Sequence, residues 1–347
     1  MGRQVGILTG GGDAPGLNAV IRAVIKYGVG GNGWRLVGIE DSFNGLLSDP
    51  LQTIELVPRA CKGLLQRGGT ILGTTNHGDP FHYPGKGRES DRSGEVMERM
   101  RDLGLEGLIV LGGDGTMRIV RELRDRWGLK AVGVPKTIDN DLGATDLTFG
   151  FQSAVDCVAD ALDRLHTTAD SHDRVLVVEV MGRDAGWIAL HGAVAGGADV
   201  VILPEIVWSP AGIARKIEDR KAIGRKFSLV VVAEGARWEG KVLGAGKAGA
   251  FVAEKLESAR PGTEVRVIVL GHLQRGGGPV AFDRVLATRM GVCAVDLVEA
   301  DRWGELVTLR NGVVDGVPMD LARDNRSVTL DDPLVRAARA TGISFGD

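Results

Sequence analysis

Lys136, Thr137, Asp139 and Asp141 are the residues whose types and spacing most suggest chemistry. They stand together in the stretch Pro135-Lys136-Thr137-Ile138-Asp139-Asn140-Asp141. Two carboxylates this close can divide the work of a transfer reaction: one takes a proton, the other steers a hydroxyl or a metal. The apolar run Ala131-Val132-Gly133-Val134 precedes them and reads as a buried strand. In an open α/β sheet the ligand crevice lies outside the carboxyl ends of the strands. The same residue types also make an Asx-rich turn that merely ends a strand, and the stretch alone leaves both readings open.

The elements around it repeat one design. Residues 4–9 read as a strand, 10–16 as a glycine-rich loop and 17–26 as a helix. Residues 107–111 read as a second such strand, ended by Gly112-Gly113-Asp114-Gly115-Thr116, with a helix expected from Met117 to Trp127. A strand, a glycine turn and a helix put free backbone N–H groups where a phosphate can sit. The first loop lacks the GxxxxGK[ST] pattern and a clean GxGxxG, and such turns also serve plain strand–helix packing. Three strand ends bearing glycines or acids in one half of the chain favour a phosphate-rich ligand. Residues 35–39 read as a strand and 68–76 as a strand edge with a polar loop beyond. Residues 77–94 read as a mobile surface loop, a lid or a solvated connector, in which His77 and His82 have no metal-ligand spacing.

A second run of alternating strands and helices starts near Gly150. Its strands are expected at 174–180, 200–203, 227–233 and 265–270, with helices at 149–169, 188–195 and 210–224. Such alternation implies parallel βαβ sheets, so a second α/β domain is expected here. Residues 282–300 read as a helix, 306–314 as a hairpin around Asn311-Gly312 and 333–340 as a terminal helix. The strand ends of this half carry Arg183, Glu234, His272 and Arg275, whereas Arg174 and Arg266 lie at strand starts. Arginine offers a planar fork for phosphate or carboxylate, and an ordinary surface ion pair is the plain alternative for each one.

The totals are those of an ordinary enzyme. A chain of 347 residues with net charge −3 gives no reason to expect a nucleic-acid partner or a membrane surface. The 52 glycines are about twice the usual share of ~7% and cluster after apolar runs. Cys61, Cys157 and Cys293 fit neither a disulfide framework nor a zinc site, so a reducing cytoplasm is expected. No stretch is long and apolar enough to span a bilayer.

Five motifs carry a resemblance: GGDAPGLN at 11–18, GGDGT at 112–116, PKTIDND at 135–141, MGR at 181–183 and GHLQRGG at 271–277. In this order, over nearly the whole chain, they resemble the 6-phosphofructokinases. GGDG alone would also suit NAD kinases and lipid kinases. The resemblance implies an α/β phosphofructokinase fold of two Rossmann-like three-layer domains with mostly parallel sheets. One domain (1–149 plus about 273–325) would hold ATP and Mg²⁺, and the other (150–272 plus about 326–347) the sugar phosphate. It implies a cytoplasmic glycolytic kinase that phosphorylates the 1-hydroxyl of fructose 6-phosphate. Gly11, Gly12, Asn76, Gly113, Asp114, Gly115 and Thr116 would line the donor, with Asp114 positioning Mg²⁺. Asp139 matches the general base, Thr137 and Lys136 stand by the transferred group with Gly11, and Asp141 matches an acid that holds the sugar. Met181, Gly182, Arg183, Glu234, His272 and Arg275 match the sugar-phosphate site. Arg174 and Arg266 match arginines that reach a neighbouring subunit, which implies a homo-oligomer with shared sites, commonly a tetramer, with a dimer as the alternative.

The donor is where the motifs mix. Gly115 resembles the ATP-dependent enzymes, in which a glycine admits the nucleotide; Lys136 resembles the pyrophosphate-dependent ones. Asn76 stands where many ATP enzymes have an arginine, and Ile119 where a glycine often lies under adenine. ATP is the expected donor because an open Gly115 is needed to admit a nucleotide, whereas a lysine suits either donor. Pyrophosphate is the alternative, and a non-catalytic sugar-phosphate sensor is the alternative of another class, disfavoured because Asp114, Asp139 and Asp141 are all present.

Overall fold

The computed structural model describes residues 2–84, 89–323 and 325–347. In chain order the main strands are β1 Gln4–Thr9, β2 Arg35–Ile39, β3 Thr53–Leu56, β4 Gly107–Gly112, β5 Ala131–Pro135, β6 Val175–Val180, β7 Val200–Ile202, β8 Ser228–Ala233, β9 Val265–Val269, β10 Glu305–Arg310 and β11 Val313–Pro318. The main helices are α1 Leu17–Val24, α2 Ser93–Asp102, α3 Asp114–Trp127, α4 Phe151–His172, α5 Trp187–Ala195, α6 Pro210–Ala222, α7 Ala248–Ala259, α8 Ala281–Glu299 and α9 Pro333–Ala340. The chain divides into two compact units, one of Met1–Thr137, Leu142–Gly150 and Gly276–Asn325, the other of Ile138–Asp141, Phe151–Arg275 and Arg326–Asp347.

The first unit is built on a seven-stranded sheet of order β11-β10-β5-β4-β1-β2-β3. Its five inner strands are parallel, and β3 and β11 are antiparallel edges. The strand sequences explain why both faces are covered. Leu108, Ile109, Val110 and Leu111 are all fully buried. Ile109 and Leu111 pack with Leu17 and Ile21 of α1 and Met290 of α8, whereas Leu108 and Val110 pack with Val96 of α2 and Met117 and Val120 of α3. A near-continuous apolar run is what a parallel strand between two helix layers requires. Truncating one such residue, as in Ile109→Ala, is expected to cost about 2–5 kcal/mol. The β10–β11 hairpin turns at Asn311 and Gly312, with φ of 50° and 80°, as the sequence predicts.

The second unit has a four-stranded parallel sheet of order β9-β6-β8-β7. Val175, Val177, Val230 and Val232 pack on one face against Ile213 and Ile217 of α6 and Val252 and Leu256 of α7. Helices α4 and α5 pack on the sheet as well as on each other. Both sheets therefore end their parallel strands in turns that carry the motif residues.

Two sequence expectations need correction. Residues 68–76 form no strand. Gly69 and Gly73 have φ of 64° and 65°, and the Leu72 N–H bonds the Thr70 hydroxyl at 3.1 Å rather than a neighbouring strand. Side-chain bonds thus replace a ladder. The helix expected from Met117 begins at Asp114. Glycine is a poor helix former, so Gly115 hid the first turn. Of the expected surface loop at 77–94, residues 85–88 lie outside the described residues.

Candidate active site

In the first unit the chemistry gathers at the carboxyl ends of β1, β4 and β5. The Gly10 N–H donates to the Leu111 carbonyl at 2.9 Å, and the Lys136 N–H to the Gly112 carbonyl at 2.9 Å. These bonds lock the three strand ends together. Gly11 has φ of 77°, a conformation that glycine adopts at no steric cost. Its N–H donates to the Thr75 carbonyl at 3.0 Å, and the Thr74 hydroxyl donates to its carbonyl at 2.6 Å. A Cβ placed on Gly11 would lie 3.4 Å from Lys136 Nζ, 3.7 Å from Thr116 Oγ1 and 3.9 Å from Asn76 Oδ1. An ammonium, a hydroxyl and an amide from three other segments therefore surround one bare backbone position. The Lys136 ammonium donates to the Gly12 carbonyl.

Gly113 precedes the first turn of α3, which contains Asp114, Gly115 and Thr116. Free N–H groups and the positive end of the helix dipole make such a turn a site for anions. Gly115 is exposed, and a Cβ there would meet nothing within 4 Å. Neither backbone geometry nor packing demands glycine at this position, so the space it leaves lies open to a ligand. Asp114 is half-exposed.

PKTIDND leaves β5 at Pro135, and the division between the units falls after Thr137. Lys136 and Thr137, in the first unit, are buried, and the Thr148 hydroxyl holds the Thr137 carbonyl at 2.8 Å. Asp139 and Asp141, in the second, are buried at 6% and 8% exposure. Asn140 between them has φ of 53°, the left-handed conformation that asparagine tolerates better than most residues. The Arg326 N–H donates to the Asp141 carbonyl at 2.7 Å.

The second unit also places the MGR motif at a sheet end. Glu234, just past β8, accepts from the N–H groups of Gly182 and Arg183. Gln274, from the turn after β9, accepts the Met181 N–H at 2.8 Å. The Arg183 side chain is exposed, with Asp184 3.9 Å away. His272 is exposed and Arg275 half-buried. Arg174 and Arg266 are not part of this group. They lie at the amino edge of the same sheet, where both bind Glu264 Oε1, at 2.8 and 2.6 Å.

Sequence reasoning missed Gln274 as a buried brace, together with Asn18 and Glu205. Asn18 is fully buried, gives its amide to the carbonyls of Arg67 and Gly68 and accepts from Ile71 N–H. The available signal was its place at the end of the GGDAPGLN motif, as a polar residue in a first helix whose other residues except Arg22 are apolar.

Open glycine turns, a helix N-terminus, a lysine and paired acids at parallel strand ends define a phosphate-handling α/β enzyme. The comparisons agree with that class and narrow it. The phosphofructokinase family model matches residues 4–298. The ATP-dependent 6-phosphofructokinase of Chloroflexus aurantiacus is 48% identical over 361 residues, covering 99% of this chain and 98% of its own. ATP-dependent 6-phosphofructokinase 1 of Synechocystis sp. is 44% identical over 360 residues, covering 99% of both chains. The solved phosphofructokinase of Pichia pastoris superposes with a TM-score of 0.81 at 31% identity, over 93% of this chain. This chain spans 38% of that longer one. The chain belongs to the phosphofructokinase family. No helix among the described residues is long and apolar enough to cross a membrane.

Proposed function

We propose that this chain transfers the terminal phosphoryl group of ATP to the 1-hydroxyl of fructose 6-phosphate, giving fructose 1,6-bisphosphate and ADP. The observation that carries the reading is the convergence of Lys136, Thr116 and Asn76 on Gly11 at the carboxyl edge of the larger sheet. Donor phosphates fit that cradle, with the first turn of α3 supplying N–H groups. The open space at Gly115 favours a nucleotide over pyrophosphate. The two curated relatives named above carry ATP in their names, which supports the same choice.

In this reading Gly11, Gly12, Asn76, Gly113, Asp114, Gly115 and Thr116 of the first unit bind the donor. Asp139 takes the proton of the 1-hydroxyl as its oxygen attacks the terminal phosphorus. Lys136 and Thr137 bind the transferred group, and Asp141 holds the sugar. Met181, Gly182, Arg183, Glu234, His272 and Arg275 of the second unit bind the sugar phosphate. Such a transfer rests mainly on positioning and charge stabilisation.

A magnesium ion fits the donor set. Asp114 is a single half-exposed carboxylate at a helix start, and no group of three or more His, Cys, Asp or Glu able to hold a metal stands together among the described residues. Mg²⁺ takes one or two carboxylates and draws its other ligands from phosphates and water. Asp114 would hold it with the donor's phosphate oxygens, where its charge offsets that of the transferred group.

Arg174 and Arg266, set apart from the MGR turn, are assigned to the site of a neighbouring copy in a homo-oligomer, a tetramer in the favoured form. The free thiols Cys61, Cys157 and Cys293 are in keeping with a reducing cytoplasm. A coupled assay tests the whole reading: fructose 6-phosphate with ATP and Mg²⁺ should turn over, and with pyrophosphate it should not. Turnover with pyrophosphate alone would transfer the reading to the Lys136 side of the motif, and turnover with neither donor would refute it.

A further inference from the structure

Residues 326–328 have no part in the proposed chemistry, yet they are bonded to three pieces of the second unit. The Arg326 N–H donates to the Asp141 carbonyl at 2.7 Å. The Trp187 indole N–H donates to the Arg326 carbonyl at 3.1 Å. The Arg326 guanidinium carbon lies 4.3 Å from the centre of the Trp187 ring, within the range of a cation–π contact. The Val328 N–H donates to Glu205 Oε1 at 3.0 Å, and that same oxygen accepts the Gly186 N–H at 2.9 Å. Gly186 immediately precedes α5, and a Cβ there would lie 2.7 Å from Glu205 Oε2. The carboxylate thus sits directly against the turn that begins at Met181.

Trp187 is buried at 4% exposure. A buried indole N–H needs an acceptor, and this one takes it from the main chain of Arg326 rather than from its own helix. A carboxylate that accepts two backbone N–H groups forms strong, directional bonds. Both side chains therefore fix main-chain positions, and the main chain they fix is the one that bonds Asp141.

We propose that Trp187 and Glu205 are positioning residues: with the backbone of residues 326–328 they set Asp141 against the 181–186 turn, and so set the affinity for the sugar phosphate. This rests on the reading that Asp141 and that turn hold the sugar phosphate. A merely structural role would lower stability and weaken both substrates alike. A positioning role acts on the sugar alone.

Three variants separate the contacts. Trp187→Phe keeps a ring face and loses the N–H, Trp187→Leu loses both, and Glu205→Gln keeps an acceptor without its charge. Two measurements are made on each: amide hydrogen exchange of the peptides covering residues 138–142 and 326–328, and KM for each substrate. In Trp187→Leu, exchange in both peptides should quicken about tenfold. KM for fructose 6-phosphate should rise about fivefold or more, the size expected for losing one or two hydrogen bonds, while KM for ATP stays within about twofold. Trp187→Phe should fall between parent and Trp187→Leu, and Glu205→Gln should act in the same direction. Unchanged exchange would overturn the proposal, as would equal changes in both KM values. If Trp187→Leu does not fold, Trp187→Phe and Glu205→Gln decide by the same criteria. If the parent does not turn over fructose 6-phosphate, the proposed function falls separately. Exchange then decides alone: retained protection of 138–142 in the variants overturns the proposal, and lost protection upholds the grip of residues 326–328 on Asp141.

Discussion

Glu234 Oε1 accepts two main-chain N–H groups, from Gly182 at 3.2 Å and from Arg183 at 2.8 Å. One carboxylate at the end of β8 thereby fixes the turn at the end of the adjacent strand β6. Gln274, after β9 on the other side of β6, holds Met181 in the same turn. Three neighbouring strand ends are tied into one loop. The loop holds Arg183 at φ of 55°, a conformation that costs free energy unless its surroundings enforce it.

Glu234→Gln tests that brace. The amide retains an acceptor oxygen but loses the charge that makes these bonds strong. The expected result is a rise of about tenfold or more in KM for fructose 6-phosphate, since about 1.4 kcal/mol is one decade. KM for ATP should change little. Initial-rate kinetics with each substrate varied in turn reads both numbers, and an unchanged sugar KM would remove Glu234 from the site.

Asp139→Asn tests the base. Removing a positioned general base costs about 10²–10⁴-fold in rate. The expected outcome is a fall in kcat of that size, with fructose 6-phosphate affinity by calorimetry within several-fold of the parent. A variant with near-parent turnover would end the assignment.

The fold was legible because the strands announce themselves. The runs at 107–111, 175–178 and 229–233 carry no polar side chain, and a sheet covered on both faces needs that. The motif turns were legible because they follow those runs. What escaped sequence reading was support from distant residues. Asn18 holds carbonyls some fifty positions away, and Glu205 joins Gly186 to Val328, 123 positions apart from it. No periodicity encodes such a bond. Local propensity failed at the start of α3: Gly115 is a poor helix former inside a helix, and it hid the first turn. Residues 68–76 read as a strand by composition, but hydroxyl and amide side chains take their backbone bonds instead.

Gly115→Asp separates the donor space from the fold. Apart from its chain neighbours and the backbone of its own helix, a Cβ at 115 meets nothing within 4 Å. Aspartate is also a better helix former than glycine and is favoured in the first turn by the helix dipole. The variant should fold with an unchanged or slightly raised Tm. It should lose ATP turnover by crowding and repelling the nucleotide's phosphates. Thermal melts and ATP kinetics on one preparation decide it. Parent-like ATP kinetics would show that the space at Gly115 is not where the donor lies.

His191 gives the second unit an acid-sensitive point. Its ring lies edge-on to Phe151 at 5.0 Å between centres and 6.4 Å from Trp187. Burial pushes its pKa below the ordinary value, Arg326 lowers it further, and Asp332 partly opposes both. A histidine held neutral in the fold binds fewer protons there than in the unfolded chain. Its contribution is therefore complete above about pH 6.5, the ordinary histidine pKa, and is lost as pH falls through the depressed folded value. Asp199 and Glu205, whose pKa values burial raises, bias stability in the opposite sense, so the parent's curve alone does not isolate the histidine. The difference between parent and His191→Gln does. The Tm of the parent should fall more steeply than that of the variant between about pH 7.5 and 5.5. Parallel Tm curves across that window would show that the His191 proton is not linked to folding.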